Sequence, residues 1–206
     1  ASKRPVALSE TTREFFGRLG AIWPQADERS AMADIASNDP ALVAAAERVL
    51  ARTPKLDALL RDTLSPTVLS GGVRHNVIPT EAEATLSLRT LPDHSPEQVV
   101  AELRRSIAEP QVELSIAAAG CPAPVSSHHS PMFQALRDTI AALDDGIITV
   151  PYLSTGATES AYLRRHGVQC YGILPFPLPD EDEAGMHDHD ERVSLEAFTF
   201  GVRLLY

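Results

Sequence analysis

The spacing of apolar residues changes twice along this chain, and that change limits the fold more than any other feature. Ala82, Ala84, Leu86 and Leu88 alternate with Glu83, Thr85, Ser87 and Arg89. A period of two puts one set on each face, so the segment predicts a half-buried strand. Residues 67–74 predict another strand, with Gly71-Gly72 marking a bulge or a close backbone approach. Ser95-Pro96-Glu97-Gln98 reads as a capping box with proline at the first helical position. The helix it opens carries Val99, Val100, Leu103 and Ile107 on one side, and Val112, Leu114 and Ile116 then alternate again. Strand, strand, helix, strand over 67–117 predicts a small α+β sandwich, with one helical layer on one sheet.

The flanks keep helical spacing. Ser9 caps a helix with Phe15, Phe16 and Leu19 that stops at Gly20. Asp39-Pro40 opens an alanine-rich helix to about Leu50, and Pro54 opens one with Leu56, Leu59, Leu60 and Leu64. These helices bring no polar groups together and read as scaffold. A turn-rich linker follows the middle region from Ala119 to Ser130. Ser130-Pro131 then caps a helix with Phe133, Leu136, Ile140 and Leu143. Short strands are predicted at 147–150 and 168–173, with a helix from Thr158 to about Arg165 between them. Ser194 caps a last helix with Leu195, Phe198, Val202 and Leu205 inward. This alternation predicts an α/β layer with parallel strands.

Composition excludes some partners. The 206 residues carry 28 acids against 18 lysines and arginines, a net charge of −10, which disfavours nucleic acid and anionic membranes. No apolar run approaches the roughly 20 residues of a membrane span. Cys121 and Cys170 are too few for a disulfide framework and read as idle thiols in a reducing, cytoplasmic setting.

Several residues are suited to chemistry. His187 stands among carboxylates in the run Gly185-Met186-His187-Asp188-His189-Asp190-Glu191, as a metal ligand would. The same run reads equally as a solvated acidic loop. His187 and His189 are two apart, so in an extended loop they face one way. Residues 154–160, Ser-Thr-Gly-Ala-Thr-Glu-Ser, place Gly156 and Thr158 between a strand and a helix. Such a loop either offers N–H groups to a ligand or is a capped turn. Arg89, on the polar face of its strand, is either a bidentate carboxylate fork or a surface arginine. Asn76 lies in the turn before Pro79, 13 residues before Arg89, and the two flank a strand and its turn.

The ordered set Gly-Gly…Asn-Val-Ile-Pro…Arg, then Gly-Ala-Thr-Glu-Ser, then His-x-x-x-Glu-Arg-Val resembles the metallopeptidase family of aminoacylases, glutamate carboxypeptidases, carnosinases and succinyl-diaminopimelate desuccinylase. The resemblance implies a ferredoxin-like lid/dimerisation domain with a helical insertion, followed by the carboxyl-terminal part of a zinc-peptidase-like α/β catalytic domain. It sets 1–66 as the inserted helices, 67–118 as an incomplete lid and 119–206 as catalytic-domain remainder. By the same resemblance His187 is a metal ligand, Asn76 and Arg89 grip the substrate carboxylate, and Gly156 and Thr158 approach the substrate carbonyl. Asp188 stands where glycine is usual, and Glu159 where aspartate is usual.

The resemblance further implies a longer parent enzyme with two divalent metal ions, expected to be zinc, that hydrolyses amides of small N-acyl amino acids or peptides bearing a carboxylate. The general-base glutamate and most metal ligands have no counterpart here, so no catalytic residue is expected in this chain, which should be inactive alone and bind metal weakly or not at all. A homodimer or larger assembly through the lid is expected. The alternatives are a non-catalytic dimerisation or binding module, and a different metal amidohydrolase using His187 with His189. A serine hydrolase is disfavoured because no Gly-x-Ser-x-Gly elbow is present.

Overall fold

The computed structural model describes residues 3–118, 120 and 122–206. Cys121, one of the two predicted idle thiols, and Ala119 of the linker lie outside the described residues; Cys170 is an unpaired, half-buried thiol. The chain folds as two compact units, residues 1–125 with 150–165 and residues 126–149 with 166–206.

The first unit is built on helices α1 (Glu10–Gly20), α2 (Ala26–Asp34), α3 (Pro40–Leu50) and α4 (Pro54–Asp57). Ser9 caps α1 by accepting from the Thr12 N–H at 3.1 Å, and Asp39 caps α3 by accepting from Ala41 at 2.8 Å. Their apolar stripes meet in one cluster of Phe15, Phe16, Met32, Ile35, Leu50 and Leu60, with Trp23 and Val150 packed on its rim. Phe16 and Leu50 are fully buried, each stabilising by roughly 1.5–3 kcal/mol over exposure. Sequence spacing missed α2, whose start at Gln25 has no side-chain cap.

An antiparallel ribbon follows, β1 (Thr63–Gly71) and β2 (Ala82–Arg89), from Thr63 opposite Arg89 to Gly71 opposite Ala82. The irregularity lies between Pro66 and Val68, away from the predicted Gly71-Gly72. Pro66 cannot donate to the ladder, and the extra residue, Thr67, turns its hydroxyl to the Thr85 carbonyl at 3.2 Å. Gly72 ends the strand with φ of +73°, a left-handed conformation that glycine tolerates.

The junction between helices and ribbon is ionic. Asp62, almost fully buried, accepts from Arg4 Nε at 3.1 Å, from the Leu91 N–H at 2.7 Å and from His94 Nδ1 at 2.8 Å. Neighbouring Arg61, equally buried, reaches Asp57 at 3.1 Å, Glu47 at 2.8 Å and the Arg4 carbonyl. Helix α5 (Pro96–Ile107) then starts at Ser95, whose capping box with Gln98 is complete, with bonds of 3.1 and 3.2 Å.

The described residues form one two-stranded sheet, and the predicted strands at 112–116, 147–150 and 168–173 do not form among them. Among the described residues the chain is thus mixed α/β with a single ribbon, and the further strands of the expected ferredoxin-like sheet and parallel α/β layer are not formed among them. A strand's backbone groups need a neighbouring strand, and Ile148 and Val168, both 48% exposed, have no covering layer. The second unit instead holds α6 (Pro131–Leu143), α8 (Asp180–Ala184) and α9 (Leu195–Leu205), while α7 (Ser160–Arg165) belongs to the first. Residues 126–127 and 169–171 are joined by side chains: the Cys170 N–H donates to Ser126 Oγ at 2.9 Å and the Ser127 N–H to Gln169 at 2.8 Å. Helix α9 buries Ala197, Gly201 and Leu204 and exposes the stripe Leu195, Phe198, Val202 and Leu205 that spacing marked as inward. Gly201 decides this face: it lies so near the Phe176 ring that an added Cβ would sit 2.6 Å from it.

Candidate functional site

Arg89 is the last residue of β2 and is exposed, its backbone opposite Thr63. Asn76 is exposed in the loop 72–81 beyond the closing pair Gly71–Ala82. From Ala82 to Arg89 is seven steps, or about 23 Å of strand. The loop that carries Asn76 and the strand end that carries Arg89 thus lie at opposite ends of the ribbon.

Gly156 and Thr158 lie in the exposed loop before α7. The Gly156 N–H donates to Ser154 Oγ at 3.2 Å, so a ligand at that N–H must displace the serine. Thr158 contributes its carbonyl, which accepts from the Ala161 N–H at 3.2 Å, and α7 begins two residues later.

His187 follows α8 in an exposed run of turns. Its φ of 70° is left-handed, which ends the expected extended alternation with His189. Asp188 N–H donates to Gly185 at 3.0 Å and His189 N–H to the Asp188 carboxylate at 2.7 Å. Arg192 closes the run on Asp182 at 2.7 Å, and this hydrogen bond with the charge of Asp182 raises the guanidinium pKa above its ordinary value. Among the described residues, no three His, Cys, Asp or Glu ligand atoms lying within 4.8 Å of one another include His187. Four predicted residues thus sit in the first unit and His187 in the second.

Sequence reasoning passed over Asp62 and His94. The available signal was Arg61-Asp62, two charges placed directly after the apolar run Leu59-Leu60. Charges at that position must be paired to be buried.

Residues 25–114, covering α2 to α5 and the whole ribbon, match the family described as the peptidase dimerisation domain, of M20 type. The chain is also 28% identical over 162 residues to the N-fatty-acyl-amino acid synthase/hydrolase PM20D1 of Homo sapiens, covering 77% of this chain and 32% of that protein. The chain belongs to the M20 peptidase family. A probable carboxypeptidase S-like 2 of Dictyostelium discoideum is 32% identical over 152 residues, 73% of this chain and 29% of that protein. A succinyl-diaminopimelate desuccinylase of Magnetococcus marinus is 30% identical over 128 residues, 61% and 31% respectively. The chain spans about a third of the length of these curated relatives. No solved structure matches it. Among the described residues, no helix is long and apolar enough to cross a membrane.

Proposed function

We propose that this chain is the dimerising, substrate-gripping portion of an amide hydrolase that acts beside a carboxylate in small N-acyl amino acids or peptides. The observation that carries the reading is the dimerisation-domain match over 25–114, joined to relatives named for acyl-amino acid, carboxypeptidase and desuccinylase activities. All three names concern an amide bond in a molecule that also bears a carboxylate.

Arg89 is the proposed carboxylate fork. Its exposed guanidinium, at the end of a two-stranded ribbon, can present paired N–H donors to one carboxylate. Asn76, in the loop at the other end of the ribbon, is proposed as a further substrate-binding residue. Gly156 and Thr158 would flank the substrate carbonyl, with the loop's N–H groups opposing developing negative charge. Two divalent ions, zinc by chemical fit to imidazole, are the proposed cofactors of the whole enzyme, where they would polarise the carbonyl and activate water. This chain would offer them His187 as one ligand, and among its described residues no cluster of three ligand atoms includes His187. A cytoplasmic setting is proposed from the two cysteines.

For the chain by itself, dimerisation is the function with a structural footing. Val68, Leu69, Val73 and Ile78 of the ribbon and its loop are 56%, 76%, 94% and 91% exposed, and among the described residues no third strand pairs with either outer edge.

Kinetics of the enzyme containing this chain test the hydrolase reading. A charge-assisted contact of about 1.5–3 kcal/mol makes Arg89→Ala lower kcat/KM by about 10- to 150-fold on an acidic substrate. Arg89→Lys recovers little, because a point charge does not copy the fork. The loss shrinks when the substrate's carboxylate is amidated. Equal losses on acid and amide would make Arg89 structural and remove the carboxylate-directed reading.

A further inference from the structure

Beside the Asp62 junction lies an open groove of about 490 Å³, walled by Arg4, Asp93, His94, Glu102 and Arg105 over a floor that includes Val99. Asp62 orients His94: a carboxylate only accepts, so Nδ1 at 2.8 Å carries a hydrogen and the ring is held by that nitrogen. Asp62 cannot release the ring easily: its side chain is 1% exposed and it also holds the Leu91 N–H. The groove therefore contains an oriented imidazole, fixed from behind.

The charges around it divide into spent and unspent. Arg4 is neutralised on both sides, by Asp62 at 3.1 Å and by Glu102 at 2.8 Å. Arg105 gives its Nε to the Ala101 carbonyl at 3.4 Å and has no carboxylate partner among the described residues. Asp93, next to His94 in the chain, has no cationic partner among them. One free cation and one free anion on a single groove, among the described residues, match a ligand that is itself a zwitterion.

We propose that this groove binds a free α-amino acid, with the carboxylate on Arg105, the ammonium on Asp93, and an apolar side chain toward Val99. A simple anion would gain only Arg105 and would face Asp93 and Glu102. A metal cation would face Arg4 and Arg105. The inference deepens the hydrolase reading, since an amino acid is what such a reaction releases, but its test does not use that reaction.

The test is an NMR titration of the 206-residue chain with L-leucine, alongside N-acetyl-L-leucine, which lacks the ammonium, and L-leucinamide, which lacks the carboxylate. L-leucine is expected to give saturable shifts at the amides of residues 93, 94, 102 and 105, with both analogues at least tenfold weaker. Arg105→Gln should weaken leucine at least tenfold and leave leucinamide unchanged, while Asp93→Asn should weaken leucine and leave N-acetyl-leucine unchanged. Both side chains are exposed, and unchanged amide dispersion verifies the fold of each variant. Shifts that never saturate, analogues that match leucine, or variants that keep its affinity would overturn the site. A flat titration leaves the hydrolase reading standing, and an inactive enzyme leaves the groove standing.

Discussion

Asp62 answers to three donors from an amino-terminal arginine, a backbone N–H after β2 and a histidine before α5. Removing one partner of a buried ionic set leaves the others uncompensated, at about 3–5 kcal/mol. Arg4 is 20% exposed and keeps Glu102, so Asp62→Ala should cost about 3 kcal/mol, the lower end of that range. Urea unfolding of the chain reads it as a lower midpoint at unchanged slope; a midpoint within error of the parent would show the junction to be idle. His187 invites the opposite expectation. One imidazole in a left-handed turn does not make a cage, and affinity follows ligand number and geometry. Calorimetric titration with zinc should show no site tighter than about 1 μM, and tight stoichiometric binding would mean that other residues join it. Residues of this kind were legible in the sequence only as types. Arg89, Asn76 and His187 declared suitable chemistry, but which of them meet depends on a ribbon whose length the motif does not state.

At the scale of elements, two glycines in helices make a matched test. Gly17 in α1 has nothing within 4 Å of where a Cβ would be, whereas in α9 the Gly201 position would clash with Phe176 at 2.6 Å and the Pro175 carbonyl at 3.0 Å. Gly17→Ala should stabilise by up to about 1 kcal/mol through helix propensity. Gly201→Ala should destabilise by about 1–3 kcal/mol through overpacking. Thermal unfolding of both variants checks the signs, and equal signs would mean that α9 does not depend on that close approach. Helix starts were the most readable part of this fold. Ser9, Asp39, Ser95, Ser130 and Ser194 each accept from a first-turn N–H as their patterns imply, because capping needs only neighbours in the chain. Strands 112–116, 147–150 and 168–173 were misread because a ladder needs a partner, and local alternation carries no information about one. The inward face of α9 was misread because Gly201 counts as small in a pattern and as decisive in a contact.

For the whole molecule, the proposed association would run through the ribbon. A flat apolar edge pairs with another edge unless charge is placed on it. The chain should run as a dimer by light scattering, and Leu69→Lys, at a position already 76% exposed, should shift it toward monomer without loss of helical signal. A parent that stays monomeric at high concentration would contradict the dimerisation reading. Cohesion is also unevenly distributed. Among the described residues, the buried apolar side chains of the second unit are Ala197 and Leu204, while the first holds the whole helical cluster. Apolar burial is the main favourable term in folding, so the second unit should open at lower urea than the first.

Trp23 gives that difference a direct readout. It is the single tryptophan, it packs against the helical cluster, and its indole N–H donates to Glu28. Its fluorescence therefore reports on one unit alone, while far-ultraviolet ellipticity also counts α6 and α9. The emission maximum should move only after part of the ellipticity has gone, so a single chain carries its own label for telling which of its units has melted.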